Sequence, residues 1–462
     1  MYSPLFYGVL LTTALLFLNA CGVRQVQKPP VPTQPTIETG TLPNPNNTQP
    51  SSKLPTTTTP ATDVVVRPPI STPPIATPPK KEIKPIDTAT PAAFDRTKQQ
   101  DIALFLPFMS QYYREGINMD SISEKSKIAL EYYQGVALAQ EHLQQQGVQL
   151  NINVFDTENN AAKVSRLLAD STTMRDIDLI IGPIHNGELK ETAQYAKRHQ
   201  IYNIAPLSPA TQNTKDNPYY IIANPPIETH IRQMYQYISK NYANKRIITI
   251  SGNKTDEANL SNLLNNLSAG NIENNSTTIR PLTYNVGITP VSDIEAQMSN
   301  SETNIFIVTT FADEALIIDL SNKLNSLRNQ YDIALFGMPN WIELPNLPLD
   351  VLANLNFYYT TPYFDTQTSQ SEAFKQAFYG KYHCYPTEYA AKAYDLTRYF
   401  GEMQQQYGKQ SGAKLQDKQG LYTNFKFRPS TNPLSKAKTD YIENNYINII
   451  RFRNDYVLEK VN

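Results

Sequence analysis

The 462-residue chain contains few of the residues that build metal, redox or disulfide sites. Its two cysteines, Cys21 and Cys384, are too few for a disulfide framework. Its five histidines are scattered, without the ligand spacing of a zinc site. The net charge of −1 gives no global electrostatic basis for binding nucleic acid. We therefore expect no metal, no cofactor and no nucleic-acid partner.

The sequence also lacks the motifs of common catalytic sites. It contains no G-x-S-x-G nucleophile elbow and no phosphate-cradling P-loop. Cys384 follows His383 directly, but side chains adjacent in sequence rarely form a catalytic pair, so we expect a buried, inert thiol here. The sequence therefore predicts a binding protein rather than an enzyme.

Aromatic residues are missing between Phe17 and Phe94, where the chain is instead rich in proline. Between Lys28 and Ala93 lie 17 of the 34 prolines, separated mostly by Thr, Ser, Asn and Gln. Such a composition cannot bury enough apolar surface to offset the loss of chain entropy, and it favours extended conformations. We interpret residues 21–97 as a disordered, Pro/Thr-rich tether.

An apolar run of about ten residues precedes this tether and is typical of a secretory signal. It is too short to span a membrane, which takes about 20 apolar residues. The segment Leu18-Asn19-Ala20-Cys21 resembles the bacterial lipobox, although no Lys or Arg precedes Arg24. This resemblance implies a signal peptide over residues 1–20, a lipid on Cys21 and a folded domain in the periplasm. Gly22 after the cysteine favours the outer membrane under the common sorting rule.

From Asp101 onward, apolar strand patterns alternate with amphipathic helical patterns. The predicted strands span 101–108, 150–157, 177–183, 201–207, 246–252, 304–310 and 333–339. The predicted helices span 123–146, 161–169, 186–199, 228–241, 257–267 and 312–327. This alternation predicts an α/β fold with mostly parallel sheets flanked by helices, and Asn224-Pro225-Pro226 favours a division into two lobes.

An ordered set of segments carries a family resemblance: GPIHNGE, IAPLSPAT, NPYYIIANPP, GMPNW, YYTTPYFD and YPTEYAAKAYDLTRYF. This order resembles the type I periplasmic-binding-protein family, in particular its branched-chain amino-acid receptors and related lipoproteins of Bacteroidetes-type bacteria. The resemblance implies a two-lobed domain over residues 98–462 that closes on a ligand by hinge motion. Lobe one would comprise about 100–224 and 366–412, and lobe two about 226–363 and 418–462.

In such a fold the ligand binds beyond the carboxyl ends of the strands. The candidate cleft residues are His185, Asn186, Ser208, Ala210, Thr211, Gln212, Thr310, Asn340 and Thr361. Asn186, Ser208 and Asn340 also have a simpler interpretation as helix caps or turn formers. Trp341, which follows Asn340, could stack on a ligand, but we favour a place in the core. We expect Asp156 to cap the helix that begins near Ala161. His185-Asn186-Gly187 stands where amino-acid receptors have a serine, so their hydroxyl set is only partly kept.

Two functions fit these features. The first is a lipid-anchored, solute-binding protein that captures a small polar, amino-acid-like ligand for an ABC transporter permease. The second is an envelope regulator that uses the same fold for protein contacts, similar to lipoproteins that activate cell-wall synthases (penicillin-binding proteins). The long tether favours the regulator, because it would let the domain reach far from its membrane, whereas the common use of the fold favours the receptor.

Overall fold

The computed structural model describes residues 99–114, 121–213, 215–270, 279–432 and 435–462, all within one unit of the structure. The predicted signal peptide, the lipidation site Cys21 and the tether lie outside these residues. No helix in the described part of the chain is long and apolar enough to cross a membrane.

Two seven-stranded sheets form the cores of two lobes, which confirms the two-lobed α/β fold. The strands are β1 (Gln100–Leu106), β2 (Leu150–Asp156), β3 (Leu179–Ile181), β4 (Tyr202–Ala205), β5 (Tyr220–Ile222), β6 (Lys245–Ser251), β7 (Ile279–Thr283), β8 (Thr303–Val308), β9 (Ile333–Phe336), β10 (Phe357–Thr361), β11 (Phe427–Asn432), β12 (Ser435–Asn444), β13 (Asn448–Phe452) and β14 (Leu458–Lys460). Lobe one has the order β11-β12-β5-β4-β3-β1-β2, and lobe two has β14-β13-β10-β9-β8-β6-β7.

Helices connect the strands, as expected for parallel pairs. They are α1 (Glu124–Gln145), α2 (Ala161–Ala169), α3 (Ser171–Met174), α4 (Asn186–His199), α5 (Ile227–Asn241), α6 (Thr255–Gly270), α7 (Val291–Glu295), α8 (Glu314–Leu327), α9 (Leu349–Asn354), α10 (Ser369–Tyr382) and α11 (Glu388–Tyr407). The strands β1, β3, β4, β8 and β9 are almost entirely buried, which explains their continuous apolar sequences.

The structure corrects the expected role of Asp156. The side chain of Asn160, rather than that of Asp156, caps α2 by accepting hydrogen bonds from the first turn. The Asp156 carboxylate instead accepts N–H groups of Met109 and Ser110 at 3.0 and 2.8 Å, and these bonds help to lower its pKa against the effect of burial. Asp156 therefore holds the loop after β1 in place.

Two further expectations are wrong. Strands β11 and β12 belong to lobe one rather than lobe two, because Ile442 and Glu443 of β12 pair in parallel with Ile221 and Ile222 of β5. Phe425 and Phe427 also pack in the core of lobe one, against Tyr399. Cys384 is exposed rather than buried, because it lies in the turn between α10 and α11.

Helix α11 packs against α1 at very short range. A Cβ atom added to Gly135 of α1 would lie 2.0 Å from the backbone oxygen of Ala390 in α11. Real Cβ atoms do not approach an oxygen so closely, so the two helix backbones are in contact there. Since α11 follows lobe two in the chain, this contact attaches the returning segment to lobe one.

We predict that Gly135→Ala lowers the free energy of unfolding by about 2 kcal/mol or more, because the methyl group must force α1 and α11 apart. Gly380→Ala is the matched control: it is exposed in α10 and a Cβ atom there meets nothing within 4 Å. Better helix propensity should make that variant more stable by about 0.5–1 kcal/mol. Urea denaturation measures both changes, and a Gly135→Ala protein as stable as wild type would contradict this packing.

Candidate functional site

Three segments connect the lobes, and all lie at the carboxyl ends of parallel strands. Residues 223–226 follow β5, residues 362–368 follow β10, and residues 445–447 lead from the end of β12 to the start of β13. Because β13 runs antiparallel to β10, its start lies at the same sheet edge as the end of β10. The carboxyl ends of both sheets therefore meet at one hinge, and the loops after these strands border an interlobe cleft.

On lobe one, the structure brings three of the predicted residues together. The Ser208 hydroxyl donates a hydrogen bond to Asn186 Oδ1 at the start of α4 and accepts one from the Ala210 N–H at 3.2 Å. Thr211 is half-buried and Gln212 is exposed on the same loop. Ser208 therefore joins two loops of lobe one, in agreement with its simpler interpretation as a turn residue.

His185 precedes α4 and is half-buried. Its Nε2 atom is buried and has no hydrogen-bond partner among the described residues. Burial lowers the pKa of His185, and the nearby charge of Lys125 lowers it further. Glu188, in the first turn of α4, is only 2% exposed, and burial raises the pKa of its carboxyl. The start of α4 thus places two ionisable groups, both shifted toward their neutral forms, beside a lysine.

On lobe two, the predicted residues Thr310 and Asn340 lie close together. Asn340 donates its amide to the carbonyl of Phe311 at 2.7 Å, and Trp341 donates its indole N–H to the carbonyl of Thr310 at 2.9 Å. Trp341 is fully buried and stacks on Phe357, so it belongs to the core. The Thr310 hydroxyl and Asn340 Oδ1 are both buried and have no hydrogen-bond partner among the described residues.

The hinge contributes a cation that the sequence patterns did not reveal. Lys392, on α11, lines a small cavity together with Pro206, Asn224 and Pro362. Its Nζ lies 3.4 Å from Glu388 and 5.9 Å from the ring centre of Tyr363. Lys392 therefore places an ammonium, partly balanced by Glu388, at a cavity between the first two hinge segments, which we take as the base of the cleft.

Thr361 lies beside this base but is already engaged. Its hydroxyl donates to the carbonyl of Tyr363 at 2.9 Å and accepts the Tyr363 N–H at 3.2 Å. The predicted residue Thr361 thus shapes the second hinge segment.

Lys392 also influences two groups of lobe two. Burial lowers the pKa of His230 to about 3, and Lys392 contributes to the shift; His230 is hydrogen-bonded to Thr360 at 2.9 Å. Partial burial and Glu388 raise the pKa of Glu343, whereas Lys392 lowers it. The charge of a lysine from lobe one therefore acts on a carboxylate from lobe two.

The site has the chemistry of a binding cleft with both signs of charge. In the described part of the chain, no group of three or more His, Cys, Asp or Glu side chains is placed to hold a metal ion. Lysine, carboxylates, hydroxyls and the free N–H groups at the start of α4 can bind a small polar molecule by hydrogen bonds and ion pairs.

A family model described as periplasmic binding protein matches residues 124–424. Among solved structures, a branched-chain amino acid ABC transporter protein from Rhodospirillum rubrum is 10% identical, with a TM-score of 0.57 over 79% of this chain and 100% of its own. A periplasmic ligand-binding protein of such a transporter from Burkholderia xenovorans is 13% identical, with a TM-score of 0.51 over 79% and 95%. An ABC transporter substrate-binding protein from Desulfitobacterium hafniense is 15% identical, with a TM-score of 0.50 over 79% and 100%. At such identities the likeness shows the fold. No curated protein matches the chain significantly.

The two neighbouring threonines of lobe two give a matched test of the unused hydroxyl. Thr309 and Thr310 are both fully buried, but the Thr309 hydroxyl contacts the carbonyls of Ile250 and Glu257 at 3.2 and 3.1 Å. We predict that Thr309→Val lowers stability by about 1 kcal/mol. Thr310→Val should raise it by a similar amount, because it removes a buried hydroxyl that has no described partner. Thermal unfolding measures the stability of both variants. If both lose the same stability, the Thr310 hydroxyl does have a hydrogen-bond partner, which would contradict our interpretation.

Proposed function

Because the chain belongs to the periplasmic binding protein family, we propose that it is a lipid-anchored, solute-binding protein of the ABC-transporter type. The observation that carries this proposal is the meeting of both sheets' carboxyl ends at one hinge, two of whose three segments lie within the residues 124–424 that the family model matches. The relatives from Rhodospirillum rubrum and Burkholderia xenovorans, which share this fold, are described as branched-chain amino acid ABC transporter proteins. The chain would capture a small ligand between its lobes and present it to a transporter permease.

The cleft favours a ligand that carries an anionic group. Lys392 supplies an ammonium at the base, and the start of α4 supplies backbone N–H groups and the positive end of a helix dipole. Glu343 supplies exposed carboxylate oxygens that can accept hydrogen bonds from an ammonium or hydroxyl group, and the buried oxygens of Thr310 and Asn340 would join it if the lobes open. A small zwitterion, such as an amino acid, satisfies both sides of this cleft.

The candidate contacts remain those predicted from the sequence, with Lys392 and Glu343 added. The residues predicted from the sequence are His185, Asn186, Ser208, Ala210, Thr211, Gln212, Thr310, Asn340 and Thr361. Ser208 and Thr361 act mainly by positioning, because their hydroxyls are bonded to Asn186 and Tyr363. The direct contacts with the ligand would come from the other predicted residues and from Lys392 and Glu343.

The anchoring part of the proposal is supported by the sequence. Cys21 would carry the lipid after removal of residues 1–20, with the outer membrane favoured by Gly22. Residues 21–97 would tether the folded domain within the periplasm.

A second candidate function is an envelope regulator that contacts a cell-wall synthase. The Pro-rich segment favours it, because an extended chain at about 3 Å per residue would reach well over 100 Å. The internal pairing of Ser208 with Asn186 also favours it, since that hydroxyl is no longer free to grip a ligand. Pull-down from envelope extracts separates the two functions: a synthase supports the regulator, and a permease supports the receptor.

The receptor function predicts measurable binding of amino acids by the full chain. In isothermal titration calorimetry with a panel of amino acids, at least one should bind, and Lys392→Gln should weaken it at least tenfold through loss of a charge-assisted contact. Lys381→Gln is the control, because that lysine pairs with Glu141 rather than with the cleft. Absence of binding to wild type, or equal affinity of the two variants, would contradict the proposed ligand class.

A further inference from the structure

A separate cavity of about 360 Å³ lies beside the hinge. Among the residues that the structure describes, those that line this cavity include none of the candidate cleft residues. One side is formed by α11 and residues 418–425 of lobe one, and the other by Asn448 and Lys460 of lobe two. Phe364, Thr366 and Thr368 of the second hinge segment and Gln370 of α10 complete the wall. A molecule bound here would contact both lobes.

A buried carboxylate shapes one wall of this cavity. Asp395 accepts N–H groups of Leu421, Tyr422 and Thr423 at 2.9, 2.8 and 2.8 Å, and the Tyr422 carbonyl accepts the N–H of Phe364 at 3.0 Å. Both oxygens of Asp395 are thus engaged by the backbone. The wall is held in a defined conformation by bonds within the chain, and it links the hinge segment to α11.

The cavity contains more cationic groups than available carboxylates. Lys418 pairs with Glu402, and Arg398 approaches the same carboxylate at 3.6 Å. The Nε atom of Arg398 is buried without a hydrogen-bond partner among the described residues. Two cations therefore share one carboxylate, and Arg398 also donates to Gln146 Oε1 at 3.2 Å.

Lys460 is the third cation. Its Nζ lies 5.2 Å from the ring centre of Tyr446, and no carboxylate of the described residues lies within 4 Å of it. The adjacent Glu459 is nearest to Arg453, at 4.0 Å. The lining therefore has three cations, Arg398, Lys418 and Lys460, and two carboxylates, Asp395 and Glu402, so one anion would balance its charge.

Aromatic rings supply the rest of the lining. Phe364, Tyr399 and Phe425 border the cavity, and its volume falls within the range of about 300–1,000 Å³ that small-molecule sites occupy. We propose that this cavity is a second ligand site, which binds a small organic anion through Lys460 and Arg398 and bridges the two lobes. The anionic group is a carboxylate or a phosphate, and the apolar part lies against the rings. This proposal does not depend on the ligand of the cleft.

Three probes of equal ring size test the proposal on the full chain at physiological salt: benzoate, phenyl phosphate and the neutral benzamide. Titration calorimetry should show binding of at least one anion and at least tenfold weaker binding of benzamide. Preference for benzoate would identify a carboxylate site, and preference for phenyl phosphate a phosphate site. Binding of neither anion, or equal binding of benzamide, would overturn the proposal.

Variants locate the bound anion. Lys460→Gln should reduce its affinity at least tenfold, and Lys460→Arg should restore most of it. Lys254→Gln, at an exposed position of lobe two, should leave it unchanged. If Lys392→Gln abolishes binding and Lys460→Gln does not, the anion binds in the cleft and the second site is refuted.

Discussion

The backbone contact between α1 and α11 is the constraint on which the rest of the structure depends. The chain leaves lobe one after β5, forms lobe two, and returns through residues 362–368. Its return is fixed where Gly135 and Ala390 meet without an intervening side chain. Lys392, Asp395 and Arg398 follow Ala390 within about two turns of the same helix. The base of the cleft and the wall of the hinge cavity therefore both take their positions from this contact.

Much of the fold could be predicted because strong local patterns set it. Buried parallel strands such as β1 and β8 have continuous apolar sequences, and the helix from Ala161 to Ala169 was predicted at its observed bounds. The edge strand β7, which has only one buried residue, gave no such pattern and was not predicted. Strand β12, with the sequence SKAKTDYIEN, is too polar to reveal its place beside β5. The chain crosses to lobe two only after β12, at the third hinge segment, and no pattern in the sequence marks this crossing point.

The candidate site could be predicted only in part, because its loops follow from the fold but its charges do not. Ser208 and Asn340 follow predicted strands and Thr310 ends one, so the general rule for parallel sheets located them. Lys392 and Glu343 come from elements some fifty residues apart, and the charge of one acts on the other only because the lobes are joined. No local pattern in the sequence identifies these two residues as parts of one site. The same is true of Lys460, which reaches the hinge cavity from the short strand β14.

The central claim is that the two lobes close on a small polar ligand in the cleft. Electron–electron double resonance between spin labels at Gln111→Cys and Asn346→Cys, on a Cys384→Ser background, tests it most directly. Both positions are exposed and follow strands of opposite lobes. Addition of a bound amino acid should shorten and narrow the distance distribution, as expected for hinge closure. An unchanged distribution at saturating ligand would contradict the account.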